Sequence, residues 1–469
     1  MSDDLTALLA QLADIVGQRN VLTGEDVAAR QVDWLSGAAC RAGAIVRPGC
    51  TEEVSRVMQL CFEARQPVVT HGGLTGLVHG AEADPGELAL SLERLTTIED
   101  VDPLGSTLTA EAGVPLERIQ QTAEDAGLYF PLDLGARGSC TLGGNIATNA
   151  GGNRVIRYGM MRQQVLGLEA VLADGTVIDS LSPMLKNNAG YDLKQLFIGS
   201  EGTLGIVTRA VVRLQPAPSD TRTALVACPD FDALSGLLAH LGRTLGGGLA
   251  AFEAMWRNHY RLIAHDSGRH RPPLDADTSH YALVESIGVD PEAHEASFSA
   301  ALESAFEAGL IEDAVISQSA VQRDALWEIR DDIESLVKAL APLQAFDVSL
   351  PIGAMQGYVE SVENSLTQRW PDARIAVFGH LGDGNLHISV GVGDDSAQAR
   401  QAVEACLYRP LAELKGSISA EHGIGLEKRD WLHISRTPEE IALMTSLKHT
   451  LDPRGLLNRN KVVPWRNPG

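Results

Sequence analysis

The stretch "PLDLGARGSCTLGGNIATNAGGNRVIRYG" (Pro131–Gly159) decides how this chain is interpreted. It is too rich in glycine for regular packing, and its motifs are too ordered for a linker. Glycines let backbone N–H groups approach a phosphate closely, and Thr and Asn side chains add donors. The segment Gly143–Gly152 therefore predicts a phosphate-binding bed. The alternative is a set of tight turns in a glycine-rich fold.

Two more glycine clusters lie on either side of this stretch. "HGGLTG" (His71–Gly76) directly follows an apolar strand, and "GSEGTLGIVT" (Gly199–Thr208) precedes another. Three clusters favour nucleotide binding over turns alone. The chain contains no GxGxxG and no GxxxxGK[ST], so the usual Rossmann and P-loop cradles are excluded.

The flanking sequence predicts the surrounding elements. "AIVRP" and "PVVTHGG" are typical of strands, and "EEVSRVMQLCFEAR" between them is typical of a helix, which together make a β-α-β unit. "VLGLEAVLADGTVI" is predicted as a strand. Leucines at helical spacing indicate a soluble N-terminal helix rather than a signal peptide. The Pro-rich "LQPAPSDTR" (Leu214–Arg222) predicts a domain boundary, followed by an α+β region on a largely antiparallel sheet.

Composition narrows the function classes. The chain has 469 residues and a formal net charge of −23, which argues against nucleic acid, because phosphate binding needs a basic face. No apolar run approaches the roughly 20 residues that span a bilayer. The six cysteines are scattered without a CxxC pair, so an iron–sulfur cluster is not expected. The cysteines are expected to be reduced thiols. A cytoplasmic protein is therefore predicted.

Several motifs together carry a family resemblance. "HGGLTG", the Pro131–Gly159 stretch, "GYDLKQLFIGSEGTLGIVT", "GHLGDGNLH", "SAEHGIG" and "DPRGLLN" follow one another along the chain. In that order they resemble the FAD-linked oxidoreductases of the vanillyl-alcohol oxidase and p-cresol methylhydroxylase superfamily, in its D-2-hydroxy-acid dehydrogenase branch. The D-2-hydroxyglutarate dehydrogenases are nearest, with D-lactate dehydrogenases and the flavin subunit of glycolate oxidase as relatives.

The resemblance implies the domain plan. Residues 1–215 are expected to form a PCMH-type FAD-binding domain, 216–425 an inserted α+β substrate (cap) domain, and 426–469 a helical segment returning to the FAD domain. Leu74 occupies the position where some members attach FAD covalently through a histidine, so non-covalent FAD is expected. The residues implied to contact FAD are Gly72, Gly73, Leu74, Thr75, Gly76, Pro131, Gly138, Gly143, Gly144, Asn145, Thr148, Asn149, Gly151, Gly152, Tyr158, Glu201, Gly202, Gly205, Ile206 and Asn458.

A second site is predicted around "GHLGDGNLH" (Gly379–His387). The Asp-Gly signal predicts a hairpin that brings His380 and His387 together. With Glu421 they make a His₂-carboxylate set suited to zinc or another divalent ion. The alternative is a pair of hydrogen-bonded core histidines, and spacing alone does not decide between the two. The resemblance, in which these three positions match metal ligands, favours the metal.

The same resemblance implies the remaining catalytic roles. His422 matches the base that takes the hydroxyl proton, and histidine as a residue type has a pKa suited to that role near neutral pH. Arg330 matches the carboxylate-binding arginine, and a guanidinium can hold a carboxylate through two hydrogen bonds. The alternative for Arg330 is a surface arginine beside Asp331 and Asp332.

Three positions depart from the hydroxyglutarate pattern. Where that pattern has threonine, lysine and asparagine, this chain has Glu334, Ala345 and Ser389. The pocket thus loses a cation and gains an anion, which disfavours a second substrate carboxylate. We therefore expect FAD-dependent, metal-assisted oxidation of a D-2-hydroxy acid. The resemblance favours D-2-hydroxyglutarate as the substrate, whereas the altered positions favour D-lactate or another monocarboxylate.

The expected partners follow from the same resemblance. The electron acceptor is an electron-transfer flavoprotein or the quinone pool, and a homodimer is expected. An oxygen-using oxidase and a non-catalytic flavoprotein subunit are the alternatives. A membrane-spanning protein is not expected.

Overall fold

The computed structural model of this chain describes residues 3–33 and 37–465. It consists of two compact units. The first comprises Met1–Gly152, Gly159–Ala217 and Glu421–Gly469, and the second comprises Asn153–Tyr158 and Pro218–Ala420. The chain thus leaves the first unit at Ala217, within the stretch predicted as a boundary.

Within the described residues, the first unit combines three sheets with helices of four to 14 residues. Its helices are α1 (Asp3–Val16), α2 (Glu25–Ala28), α3 (Thr51–Glu63), α4 (Leu116–Asp125), α5 (Leu142–Thr148), α7 (Met161–Gln164), α16 (Leu432–Ser435) and α17 (Pro438–Leu451), with α6 (Val155–Tyr158) assigned to the second unit. Its strands are β1 (Val21–Leu22), β2 (Ala44–Val46), β3 (Val68–His71), β4 (Leu88–Ser91), β5 (Ile98–Asp102), β6 (Thr107–Glu111), β7 (Leu128–Tyr129), β8 (Val165–Val171), β9 (Val177–Ser180), β10 (Ile206–Arg213) and β11 (Gln215–Pro216).

The predicted β-α-β unit is present in this first unit. Strands β2 and β3 both pair with β4 in parallel, in the order β1-β2-β4-β3. Helix α3 connects β2 to β3 and buries Val54, Val57, Met58 and Cys61, which recur every three to four residues. The N-terminal helix α1 buries Leu8, Leu9 and Leu12 in the same core. Both predictions are confirmed.

The second sheet corrects one sequence expectation. "VLGLEAVLADGTVI" was predicted as a single strand, but it forms the antiparallel hairpin β8–β9. The chain turns at Gly175, which has φ +86°, and Asp174 accepts a hydrogen bond from the N–H of Thr176. An Asp-Gly turn of this kind reverses the chain where the apolar pattern suggests continuation. The five strands run in the order β5-β6-β10-β8-β9, with every pair antiparallel.

The second unit contains a seven-stranded antiparallel sheet. Its strands are β12 (Asp220–Cys228), β13 (Leu249–Trp256), β14 (His280–Gly288), β15 (Asp313–Ile316), β16 (Leu343–Ser349), β17 (Arg374–His380) and β18 (Asn385–Gly391). Its longer helices are α8 (Phe231–Thr244), α10 (Pro291–Glu307), α11 (Ala320–Asp331), α12 (Ile333–Leu340), α13 (Met355–Arg369) and α14 (Ala397–Tyr408), with the short α9 (Arg257–Tyr260) and α15 (Leu411–Leu414).

The strand order is β15-β12-β14-β13-β17-β18-β16, and each neighbouring pair is antiparallel as predicted. All eight residues of β13 are buried. The face that carries Met255, Leu283 and Phe378 packs against Leu326 and Ile329 of α11. Polar side chains on this same face form the site described next. No helix among the described residues has the length and apolar character needed to cross a membrane.

Candidate active site

The predicted phosphate-binding loops come together in the first unit. A Cβ on Gly73 would lie 2.1 Å from the carbonyl oxygen of Ser139, and one on Gly72 would lie 3.0 Å from Thr141 Oγ1. The loop after β3 is thus packed directly on the start of α5, and glycine is required there for packing. Gly76 differs, since a Cβ there would have no heavy atom within 4 Å. Packing therefore does not explain why position 76 is a glycine, whereas the close approach of a ligand to the backbone would explain it.

Buried polar atoms beside this loop are suited to a polar ligand. Thr70 Oγ1 and His71 Nδ1 are buried and have no hydrogen-bond partner among the residues that the structure describes. The other ring nitrogen of His71 lies 2.9 Å from the carbonyl oxygen of Ala81. Burial lowers the pKa of His71 to about 4, so its ring is neutral near pH 7. These residues fit a nucleotide cofactor, with neutral donors and acceptors at its edge.

Helix α5 holds the side chains predicted to contact the flavin. Asn149 ends the helix in the left-handed conformation at φ 52°, and its Oδ1 accepts from the N–H of Arg162 at 2.9 Å. Thr148 Oγ1 donates to the carbonyl oxygen of Gly144. Asn145 is buried with its amide nitrogen 3.7 Å from Cys140 Sγ. Their flavin-binding role stays a prediction.

Two predicted cofactor residues already have protein partners. Glu201 is buried and accepts from the N–H groups of Ile424 and Gly425 at 2.7 and 2.8 Å. Burial raises the pKa of Glu201 above its usual value, although these two N–H groups oppose the rise. Asn458 accepts from the N–H of Thr70 and donates to the carbonyl oxygen of Glu201. Both side chains hold loops of the first unit in place.

The other predicted cofactor residues are distributed over both units. Tyr158 lies in the segment of α6 that belongs to the second unit. The rest lie in the first unit: Leu74, Thr75, Pro131, Gly138, Gly143, Gly144, Gly151, Gly152, Gly202, Gly205 and Ile206. Their contacts with a cofactor remain predictions.

The two histidines of the predicted hairpin are neighbours in the second unit. His380 ends β17, Gly384 turns the chain at φ +84°, and β18 returns with His387 opposite Phe378. The ring centroids of His380 and His387 are 5.2 Å apart and nearly perpendicular. Side chains alternate along β18, so His387 and Ser389 share one face. The hairpin thus places both rings on the face covered by α11.

A buried carboxylate from the next strand joins this group. Glu253 lies opposite His380 in the β13–β17 pair and is 1% exposed. Its Oε1 lies 2.7 Å from His380 Nδ1, and its Oε2 accepts from Arg330 Nε at 2.8 Å. Burial by itself would raise the pKa of Glu253. The electrostatic interactions and hydrogen bonds of this carboxylate with His380 and Arg330 outweigh that effect and lower its pKa to about 2.

Arg330 is 7% exposed, so it is not the surface arginine of the alternative interpretation. Its guanidinium carbon lies 5.1 Å from the centroid of the Phe378 ring. One terminal nitrogen lies 3.2 Å from His380 Nε2, and the other is 3.2 Å from Asp331 Oδ1. The arginine and the candidate metal ligand therefore form one polar cluster inside an otherwise apolar core.

The sequence analysis assigned no role to Asp347, but the structure gives it a central place. Asp347 lies opposite His387 in the β16–β18 pair and is fully buried. Its two oxygens accept from Asn385 Nδ2 at 2.7 Å, from the N–H of Ala420 at 3.0 Å and from Ser419 Oγ at 3.2 Å. This carboxylate fixes the segment that leads directly into Glu421 and His422.

A metal-capable group contains two of the three predicted ligands. Asp347, His387, Glu421 and His422 each offer a ligand atom, and these atoms all lie within 4.8 Å of one another. Two imidazoles and two carboxylates suit zinc or another divalent ion. Asp347 carries three hydrogen bonds already, so it is better suited to orienting its neighbours than to ligation. His380 lies outside this group, beside Glu253 and Arg330.

Glu421 also contacts the predicted cofactor stretch. Its Oε2 accepts from the N–H of Gly152 at 3.1 Å, within the first unit. Gly152 has φ +91°, and a Cβ there would lie 2.1 Å from the carbonyl oxygen of Asp133, so only glycine fits. A candidate metal ligand is thereby tied to the last residue of the glycine-rich bed.

The three altered positions have different surroundings. Ala345 lies opposite Ser389 in the β16–β18 pair, on the face that carries Asp347 and His387. Ser389 is buried, whereas Ala345 is exposed. Glu334, in the first turn of α12, is exposed, and its Oε2 lies 2.7 Å from a terminal nitrogen of Arg269. The predicted anion is therefore paired with a cation that the sequence did not reveal.

Comparison with known proteins decides the family. Residues 217–462 match the profile described as "FAD linked oxidases, C-terminal domain", and residues 42–180 match "FAD binding domain". The chain belongs to the FAD-linked oxidase family. The predicted fold class, a PCMH-type FAD-binding domain with a second α+β domain, is confirmed, and the predicted domain bounds stay predictions.

Individual relatives agree with this family. The chain is 38% identical to the "D-2-hydroxyglutarate dehydrogenase, mitochondrial" of Arabidopsis thaliana, over 96% of this chain and 80% of that protein. It is 43% identical to the D-2-hydroxyglutarate dehydrogenase of Xanthomonas citri pv. viticola, over 92% and 91%. The solved structure of p-cresol methylhydroxylase with substrate bound matches with a TM-score of 0.78 at 15% identity, over 99% of this chain and 98% of that one.

One sequence prediction is contradicted by these relatives. The acidic N-terminus and the scattered cysteines favoured a cytoplasmic protein. The Arabidopsis relative is named as a mitochondrial protein, which argues against that location. The chemistry that motivated the prediction, reduced cysteines without disulfides, is common to both compartments, so it could not discriminate between them.

Proposed function

We propose that this protein is an FAD-dependent dehydrogenase that oxidises a D-2-hydroxy acid to the 2-oxo acid. The FAD-binding profile and the relatives named as D-2-hydroxyglutarate dehydrogenases support the reaction class. The observation that carries the proposal is the buried cluster of Arg330, His380 and Glu253 on the sheet of the second unit. Burying a guanidinium costs free energy unless the group is paired or is needed for function. Here the guanidinium lies beside His380, a candidate metal ligand.

Each residue has a defined task in this proposal. Arg330 binds the substrate carboxylate through its terminal nitrogens. His422 accepts the proton of the C2 hydroxyl. FAD, when bound on the glycine-rich bed, supplies the hydride acceptor. A divalent metal, zinc in our proposal, would be held by His380, His387 and Glu421 and would lower the pKa of the C2 hydroxyl.

The contact between His380 and Arg330 bears on this ligand set. Its Nε2, the nitrogen turned away from Glu253, lies 3.2 Å from Arg330 in this structure. Arg330 must therefore shift by a short distance for His380 to reach a metal. The alternative set replaces His380 by His422 or Asp347, which lie in the metal-capable group. A metal titration of His380→Ala and Asp347→Asn separates the two sets.

The substrate is either D-2-hydroxyglutarate or a D-2-hydroxy monocarboxylate such as D-lactate. The names of the relatives favour hydroxyglutarate. The alanine at position 345, where the hydroxyglutarate pattern has a lysine, favours a monocarboxylate. The negative charge of Glu334 would disfavour a dicarboxylate, but this charge is partly compensated by Arg269, whose terminal nitrogen lies 2.7 Å from Glu334 Oε2. We propose an electron-transfer flavoprotein or a quinone as the acceptor and a homodimer as the assembly.

The test is anaerobic reduction of the bound flavin by a panel of D-2-hydroxy acids. D-lactate, D-malate, D-2-hydroxyglutarate and an aromatic D-2-hydroxy acid are compared by bleaching near 450 nm, a general property of flavins. The proposal predicts rapid bleaching by at least one of them. A protein that binds FAD but is bleached by none would instead be a non-catalytic flavoprotein. Stoichiometric peroxide under air would indicate an oxidase.

A further inference from the structure

Glu253 occupies the point where two functional side chains meet. One carboxylate oxygen takes the Nε–H of Arg330 at 2.8 Å, and the other lies 2.7 Å from Nδ1 of His380. The residue lies in "LAAFEAMW", an entirely buried strand that is otherwise apolar. An acidic residue is rarely buried to this extent unless its charge is used.

The network assigns the tautomer of His380. A carboxylate paired with a guanidinium is ionised, and an ionised carboxylate only accepts hydrogen bonds. The proton of a neutral His380 ring must therefore reside on Nδ1. The opposite nitrogen, Nε2, lies 3.2 Å from a terminal nitrogen of Arg330, which can only donate. Both contacts agree on a ring with its lone pair on Nε2, the form that binds a metal.

The same carboxylate orients Arg330. The planar guanidinium is held along its Nε edge by Glu253, and Phe378 lies against the guanidinium at 5.1 Å from the ring centroid. These contacts fix the plane of the guanidinium and the direction of its terminal nitrogens, which can bind a carboxylate through two hydrogen bonds. One side chain thus sets the geometry of two groups with different tasks.

We propose that Glu253 is a positioning residue that holds His380 in its metal-binding tautomer and aims Arg330 at the substrate carboxylate. The proposal rests on the proposed function, because it assumes that His380 binds metal and that Arg330 binds substrate. Glu253 itself contacts neither. Histidine ligands commonly donate their second ring N–H to a carboxylate, and loss of that partner weakens metal binding about 10- to 100-fold.

Glu253→Gln is the informative substitution because it preserves shape and reverses one hydrogen bond. An amide presents one acceptor and one donor group. If its NH₂ faces His380, the ring proton moves to Nε2 and the metal-binding lone pair is lost. If its NH₂ faces Arg330 instead, two donors oppose each other and the guanidinium turns away. Either orientation breaks one of the two functions.

Glu285→Gln is the matched control. Glu285 lies on the neighbouring strand β14, and its side chain is 1% exposed like that of Glu253. It is paired with Arg154 at 2.9 Å and accepts from Trp327 Nε1 at 3.0 Å, but it touches neither His380 nor Arg330 in the described contacts. Both substitutions remove a buried charge from an ion pair, so both lower the unfolding midpoint. Only Glu253→Gln is expected to change metal affinity.

The experiment is a competitive Zn²⁺ titration against a chromophoric chelator, on FAD-loaded wild type, Glu253→Gln and Glu285→Gln. We expect the Zn²⁺ Kd of Glu253→Gln to rise about 10- to 100-fold, with unchanged FAD content, and that of Glu285→Gln to stay at the wild-type value. Equal weakening of Zn²⁺ binding in both variants overturns the proposal. An unchanged Zn²⁺ Kd in Glu253→Gln also overturns it if the KM for the best D-2-hydroxy acid is unchanged as well, because one of the two contacts must then be dispensable in either orientation of the amide.

Two further outcomes keep the inference separate from the proposed function. A wild type that reduces its flavin but binds no Zn²⁺ refutes the metal in the proposed function, and the tautomer role of Glu253 with it. If Glu253→Gln does not fold, Glu253→Asp carries the test. It keeps the charge but is one methylene shorter, so it cannot reach both partners. A variant with both wild-type Zn²⁺ affinity and a wild-type KM for the best D-2-hydroxy acid would contradict the proposal.

Discussion

Restoring a cation at position 345 tests how this chain selects its substrate. Ala345 lies two residues from Asp347 on β16, about 7 Å along the strand, and faces the same side as Asp347 and His387. It is exposed, so a lysine fits without displacing the core. Ala345→Lys is expected to raise kcat/KM for D-2-hydroxyglutarate relative to D-lactate, because its ammonium group can meet the distal carboxylate.

The magnitude follows from the exposure of the site. A hydrogen bond to a charged group contributes about 1.5–3 kcal/mol, and solvent screening at an exposed position favours the lower end. About 1.5 kcal/mol corresponds to a change of roughly 10-fold in the ratio of the two kcat/KM values. The assay is initial rates with an artificial electron acceptor over a range of both substrates.

The matched control is Ala345→Met, which adds similar length without charge. The reasoning predicts that the methionine variant leaves the ratio within about twofold of wild type. An unchanged ratio in Ala345→Lys, or the same rise in Ala345→Met, would refute it. The former result would mean that another cation, such as Arg269, already serves the distal carboxylate.

Three other perturbations have defined outcomes. Arg330→Met removes one partner of the buried pair with Glu253, so chemical denaturation should show that the free energy of unfolding falls by about 3–5 kcal/mol. Flavin reduction should also be lost. A stable, active variant would exclude Arg330 as the residue that binds the substrate carboxylate. Chelation should abolish flavin reduction and added Zn²⁺ should restore it, whereas unchanged reduction would make the histidine cluster structural. Burial lowers the pKa of His280 to about 4, so the unfolded chain binds an extra proton below about pH 6.5 and stability is lost as the pH falls from about 6.5 to 4. His280→Phe should lessen that loss in pH-dependent melting curves, and an identical acid profile would contradict this.

Local pattern was enough to predict most of the fold. The spacing of Val54, Val57, Met58 and Cys61 predicts the buried face of α3, and that face is the one packed in the core. The hairpin at Gly384 was predictable from its Asp-Gly turn. The hairpin at Gly175 has the same signal, but an apolar run on both sides masked it.

The candidate site was less predictable, because its contacts join distant strands. Glu253 and His380 are 127 residues apart in sequence, and only the β13–β17 register places them opposite each other. A single acidic residue in the apolar strand "LAAFEAMW" was the available signal for Glu253. No local pattern connects Arg269 to Glu334, since the two meet only through the folding of an irregular loop onto α12.

The most direct test of the central claim is the primary isotope effect on flavin reduction. The best substrate from the D-2-hydroxy acid panel is prepared with deuterium at C2, and anaerobic bleaching near 450 nm is followed in a stopped-flow instrument beside the L enantiomer. Hydride transfer from C2 predicts that the D substrate bleaches the flavin, that deuterium slows the bleaching several-fold, and that the L enantiomer does not react. Equal bleaching by both enantiomers, or none by any D-2-hydroxy acid with FAD bound, would contradict the assignment.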